Sequence, residues 1–401
     1  MERGGKDNKM FIKRKKLISI LIATIITLSI FGTLSATATN INDLKSNEIF
    51  LLSKEIPESA TEYARDYFTT YTSNELLNLG FTQKEIINLR LSPGVTAYEY
   101  DSCDAQFYYF PVVDDDRVIA MLTMIDFGDE RYSVQFGKSN FANSLNDIKT
   151  KQNEPAILVI TNDFMYALDV NDNFTMLEEF LIMSDLGLST ASNQARNIIT
   201  PNITFSEARF VCDVNILISD DTKYDETIDN SPLRTTEEAY LNVDFVANGT
   251  NASFPNGYCW ASSLGSIIKY RINTTYTATQ WRDILLNNAA SKNWTGTVEN
   301  AKDIMETYIN GASVTLTNST LTFATTKAII NNDKPIYSSW RNTTDTSGHA
   351  MVIRGYLYTG TPASVTRISL MDPNKSSYQA VDPTGSYVVG SLVLYWKRTV
   401  Y

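Results

Sequence analysis

A cysteine at the point where a glycine-containing loop becomes an amphipathic helix is a candidate nucleophile, and Cys259 stands at such a point. It opens the run Cys259-Trp-Ala-Ser-Ser-Leu-Gly-Ser-Ile-Ile268, directly after the turn residues Pro255, Asn256 and Gly257. Trp260, Leu264, Ile267 and Ile268 recur at the spacing of one buried helix face, which predicts a helix beginning at or beside Cys259. A thiol there lies against the partial positive charge of the helix N-terminus, which favours the thiolate. The backbone N–H groups of that first turn lack intrahelical partners and can take up a developing oxyanion. Such a nucleophile needs a base, and the chain has a single histidine, His349. A lone histidine is more often structural than catalytic, but the neighbours of this one favour chemistry. It follows Gly348 at the mouth of an apolar strand, 350–358, and a second strand, 367–371, leads to Asp372. An antiparallel hairpin closing at the Gly360-Thr361 bend sets Asp372 opposite His349, where a carboxylate orients an imidazole.

Cys-Trp-Ala-Ser at a helix start, Gly-His-Ala before a strand and Met-Asp-Pro after the next strand resemble a papain-like cysteine peptidase. The similarity points to secreted bacterial branches: staphopain-like and streptopain-like enzymes, and the peptidase domains that trim bacteriocin leaders. It covers residues 240–401. The resemblance implies Cys259 as nucleophile, His349 as general base and then acid, and Asp372 as the residue that orients the ring, with Asn374 as the alternative for that third role. Such enzymes usually place a glutamine about six residues before the cysteine, where its amide completes the oxyanion hole. Here that position is Ser253, and the amides within reach of the role are Asn248, Asn251 and Asn256. One histidine and scattered cysteines form no ligand cluster, so no metal or other cofactor is expected.

The elements that must carry these residues read in the papain-like order, helices first and antiparallel strands later. Helical spacing covers 279–288, 298–309 and 322–331, and strands follow at 335–340, at the hairpin and at 386–396. The fold class expected is α+β, a papain-like peptidase domain over 241–401 with its cleft between an α layer and a β-sheet. Trp260, Trp340 and Trp396 read as packing residues. Residues 39–218 read as a small α+β domain, helices followed by an antiparallel meander. Its helices fall at 59–69 and 82–89, the second with Glu85 at capping-box distance from Thr82. Its strands fall at 107–113, 118–126, 132–136, 156–161 and 164–169, with Asp114-Asp-Asp-Arg117 as a hairpin turn. This segment holds no histidine, and its place resembles that of the pro-domain of secreted papain-like zymogens. An accessory binding module is the alternative.

Residues 1–38 combine a basic head, an apolar run and an Ala-x-Ala end, the parts of a secretory signal peptide cleaved near Ala38. A retained membrane anchor is the other reading of that run. The remainder is expected to be secreted, or held at the cell surface, with no membrane contact after cleavage. Net charge is +5 over 1–38, −18 over 39–234 and +2 over 235–401. An acidic chain without a basic patch argues against nucleic acid as a partner. The acidic N-terminal segment is instead a candidate inhibitor that covers the cleft until it is removed. Residues 219–240, rich in Asp, Thr, Glu and Ser, read as a linker open to proteolysis after Lys223 or Arg234. Cys103 and Cys212 could pair, leaving Cys259 as a free thiol. The expected activity is hydrolysis of protein or peptide substrates. Two rivals stand beside it: transglutaminase-like acyl transfer, and an exported binding or adhesion protein with a degenerate peptidase fold.

Overall fold

Threonine begins most of the helices. In the computed structural model of this chain, Thr72, Thr82, Thr277, Thr297 and Thr322 each accept a hydrogen bond from a backbone N–H of the following first turn. Such N-caps satisfy donors that a helix otherwise leaves unpaired, and at Thr82–Glu85 and Thr277–Gln280 the capping box is complete. The described residues are 49–100, 106–115, 117–149, 155–161, 163–181, 183–184, 201–209, 214–218, 236–309, 313–359, 365–375, 377–383 and 385–401. The expected signal segment, residues 219–235 and the pair Cys103 and Cys212 lie outside them.

The N-terminal region runs β1 (Ile49–Ser53), α1 (Glu58–Thr69), α2 (Ser73–Asn78), α3 (Gln83–Asn88), β2 (Leu89–Leu91), β3 (Val95–Thr96) and β4 (Tyr98–Glu99). It continues through β5 (Gln106–Asp114), β6 (Arg117–Asp126), β7 (Tyr132–Gly137), α4 (Asn140–Lys149), β8 (Ala156–Ile160), β9 (Phe164–Leu168), β10 (Phe174–Glu179), β11 (Met183–Ser184), α5 (Phe205–Arg209) and β12 (Val214–Ile218). The C-terminal region comprises β13 (Thr236–Tyr240), α6 (Cys259–Arg271), α7 (Ala278–Lys292), α8 (Val298–Tyr308), β14 (Leu316–Thr317) and α9 (Phe323–Ile330). It closes with β15 (Ile336–Arg341), β16 (Ser347–Thr359), β17 (Val365–Met371), β18 (Gln379–Val381), β19 (Ser386–Val389) and β20 (Leu392–Val400). The mixture of helices and large antiparallel sheet is α+β. Among the described residues, no helix is long and apolar enough to cross a membrane.

One extended antiparallel sheet has the order β14-β20-β15-β16-β17-β18-β7-β6-β5-β2. The join at its middle pairs Gln379 with Gly137, Ala380 with Phe136 and Val381 with Gln135. The meander β5–β6–β7 is therefore hydrogen-bonded in series with the strands that carry His349. A second sheet, β10-β9-β8-β1-β12, takes β4 at β8. Its strand β8, with every residue buried, turns Leu158 and Ile160 into the apolar cluster that also holds Trp260, Leu264, Trp340 and Trp396. The described residues, 49 onward, pack as one unit.

Two stretches differ in detail from their sequence patterns. The end of the polar stretch before the nucleophile, Thr236–Tyr240, is a strand paired with β16 from Thr359 to Gly355. The run expected as one strand over 386–396 is two, turned at Gly390 with φ 63°.

Candidate active site

The nucleophile candidate is the first residue of α6, and no side chain caps that helix at Tyr258. The loop before it turns at Gly257 with φ 111°, a left-handed conformation natural to glycine. A Cβ there would also stand 3.0 Å from Nδ2 of Asn248. α6 is buried from Cys259 to Ile268, on all sides rather than on one apolar face. Its serines make this possible, because Ser262, Ser263 and Ser266 donate to the carbonyls of Ala247, Ala350 and Asp244. Buried hydroxyls with partners avoid the penalty of lost hydration.

Ala350 is the stitch between helix and sheet. Its carbonyl accepts from Ser263 Oγ at 3.0 Å, and its N–H donates to Cys259 Sγ at 3.4 Å. His349, the preceding residue, is thereby brought to the nucleophile's side of β16. Its Nε2 meets Asp372 Oδ1 at 2.5 Å, and Nδ1, which has no hydrogen-bond partner, is left for the sulfur. Asp372 reaches the ring diagonally. β16 and β17 pair Val352 with Met371 and Thr359 with Val365, with a bulge between Ile353 and Gly355. That register lies two to three residues from the one a Gly360-Thr361 bend sets, and the carboxylate spans the difference.

Three donors hold the carboxylate: His349, the N–H of Asn374 at 2.8 Å and the hydroxyl of Tyr387 at 2.5 Å, the last on Oδ2. Burial alone would lower the pKa of His349. The charge of Asp372, and after it that of Cys259, outweighs burial and raises the ring to about 10. Burial also works against the Asp372 carboxylate, yet His349, Lys375 and Tyr387 hold it below the ordinary range. The result is an imidazolium at neutral pH, clamped to a carboxylate on one nitrogen and open on the other.

Asn374, the alternative orienter, does not meet His349. Its side chain accepts from Asn248 Nδ2 at 2.8 Å and donates to the carbonyl of Leu181 at 2.8 Å. Among the amides considered for the oxyanion, Asn251 accepts from Ser253 and Phe254 N–H in a local turn. Asn248 Oδ1 accepts from the N–H of Tyr258, immediately before the nucleophile. Asn256 and Ser253 line a cleft of about 450 Å³ that reaches His349, with Thr295–Glu299 opposite and Tyr337, Arg341 and Arg398 on the sheet side. Cys259 and Asp372 are 0% exposed and His349 only 2%. Beside His349, β11 pairs Met183 with Gly348 and Ser184 with Ser347.

This geometry sits within one stretch of the chain. Residues 240–400 match the model of the Peptidase_C39-like family. The matched stretch is thus similar to cysteine peptidases, and it contains Cys259, His349 and Asp372. No curated protein matches the chain. Sequence reasoning missed Tyr387 and Lys375, since a tyrosine within an apolar strand and a lysine in a turn carry no local mark of the Asp372 carboxylate beside them.

Proposed function

We propose that the protein is a secreted papain-like cysteine peptidase, made as a zymogen, that cuts protein or peptide substrates with Cys259, His349 and Asp372. The observation that carries the reading is the joint placement of those three side chains within the stretch similar to a cysteine peptidase family. The Cys259 thiolate attacks the substrate carbonyl carbon, and the oxyanion that forms is met by the Cys259 N–H and a side-chain amide. As the C–N bond breaks, the His349 imidazolium gives its proton to the departing amine. Water then loses a proton to His349 and attacks the thioester, so that the C–S bond breaks and the thiolate returns. Asp372 holds the ring throughout, and the cycle requires no cofactor.

The zymogen part of the reading is supported by the burial of the nucleophile and by β11 on the strand edge beside His349. Secretion rests on the make-up of residues 1–38 alone. The test compares the full chain with Cys259→Ala, each before and after limited proteolysis, on unfolded casein. Wild-type turnover that appears after proteolysis, and is absent from the variant, is the expected result. Equal turnover by both proteins would end the proposal.

A further inference from the structure

The turn that carries Asp372 is built by two halves of the molecule. Lys375, three residues on, is 8% exposed, and its Nζ lies 2.9 Å from Oε1 of Glu178, itself 6% exposed, on β10 of the N-terminal region. Leu181, just past β10, accepts from Asn374 Nδ2. The strand of Tyr387 is held in the same way. On either side of that tyrosine, the N–H groups of Ser386 and Val388 donate to Ser133 Oγ and Gln135 Oε1 of β7, at 3.2 and 3.1 Å. Glu178, Lys375 and Gln135 also share a cavity of about 20 Å³, the size of one water molecule. A buried charge is costly unless paired, and neither Glu178 nor Lys375 has a part in the peptidase cycle described above.

We propose that Glu178 and Lys375 are a positioning pair for the Asp372–His349 dyad, so that the N-terminal region is a working part of the peptidase and stays with it after activation. The pair acts through Asp372. Lys375 favours the ionised carboxylate, and Glu178 keeps that lysine in place and cancels most of its charge as felt at His349. Activation on this view displaces β11 from the strand edge and leaves β7 and β10 where they are. The proposal rests on the peptidase reading for its meaning, but its central measurement requires no turnover.

His349 is the sole histidine, so the ring signals of the full chain labelled with ¹⁵N-histidine belong to one residue. The ionisable groups that face the dyad are Cys259 from α6, Tyr337 from β15, Tyr387 from β19, Lys375 from the turn and Glu178 from β10, with Glu299, Arg341, Asp345 and Arg398 around the cleft that reaches His349. Glu178→Gln leaves the lysine cation uncompensated, and the His349 titration midpoint is expected to fall by about one pH unit. Lys375→Met leaves an anion, and the midpoint is expected to rise. Opposite shifts are the signature of charge acting on the ring. A pair that only holds the fold lowers thermal stability in both variants and either leaves the midpoint unmoved or moves it the same way in both, and that result would overturn the proposal. Should Glu178→Gln fail to fold, Glu178→Asp keeps the charge on a shorter arm. A smaller fall is then expected, and an unmoved midpoint counts against the pair. On casein after limited proteolysis, Glu178→Gln is expected to lose about tenfold in kcat at unchanged KM. If wild type and Cys259→Ala are equally inert there, the peptidase reading fails while the ring titration still decides the pair.

Discussion

At His349 the proton is held against the Asp372 carboxylate, which burial keeps close to the ring. The ring's folded value of about 10 stands above its ordinary 6.5, so the folded chain keeps a proton that the unfolded chain gives up between those values. The stability this adds is complete below pH 6.5 and is lost as pH rises through about 10. Asp372 has the opposite sign. Its depressed value gives stability that is present above 3.8 and lost as pH falls through the folded value. Both statements describe one ion pair, so the two contributions do not add. The expected outcome is that urea midpoints of the wild-type chain fall between pH 6.5 and 10 more steeply than those of His349→Asn. Parallel curves for the two proteins would mean that the ring is neutral in the folded state. In the proposed peptidase cycle the same charge state would matter, because an imidazolium formed in advance is the acid that a leaving amine requires.

At the scale of elements, α6 is the wedge on which Cys259 rides, and its fit depends on Gly265. A Cβ there would lie 2.6 Å from the carbonyl oxygen of Ala278 and 2.8 Å from the N–H of Arg282, both backbone atoms at the α7 contact. Alanine usually stabilises a helix interior by about 0.5–1 kcal/mol over glycine. Here the backbone of α7 cannot yield as a side chain does, and overpacking of this kind costs about 1–3 kcal/mol. Gly265→Ala is thus expected to lower stability in urea denaturation, and a more stable variant would show that α6 and α7 can part cheaply. Much of this level was legible in the sequence. The helices after the nucleophile were readable from apolar spacing and, at α3, from a threonine three residues before a glutamate. The meander strands were readable as short runs separated by turn residues. Less legible was anything that depends on where a turn closes. Gly390 inside an apolar run reads as part of one strand, and the register of the hairpin carrying His349 and Asp372 is already offset at Thr359 and Val365, with a bulge after Ile353, which no local signal marks, changing it by one residue.

At the scale of the whole molecule, the feature hidden from the sequence is the junction of the two regions, because pairing between residues about 240 apart leaves no periodicity to read. Glu75 and Arg367 show what that junction contains. Arg367 Nη1 lies 2.7 Å from Glu75 Oε2, with both side chains at most 2% exposed, and the guanidinium stacks over the rings of Tyr71 and Tyr67 at 3.8 and 4.5 Å. From sequence these are two charged residues to be placed in water; in the fold they fasten α2 to β17. Burial raises Glu75 to about 7 although Arg367 opposes it, so desolvation exceeds the attraction of the pair, as it commonly does for buried ions. A carboxyl raised in the folded state stabilises below its unfolded value and loses that contribution as pH rises through the folded one. The window here runs from 4.5 to about 7. Glu75→Gln keeps the shape but cannot titrate. It is expected to be less stable than wild type at pH 4.5, with the gap narrowing as pH rises to 7.5. Urea midpoints of both proteins across that range check the sign, and a gap that widens with pH would show that the charged pair, and not the protonated acid, is what fastens the regions together.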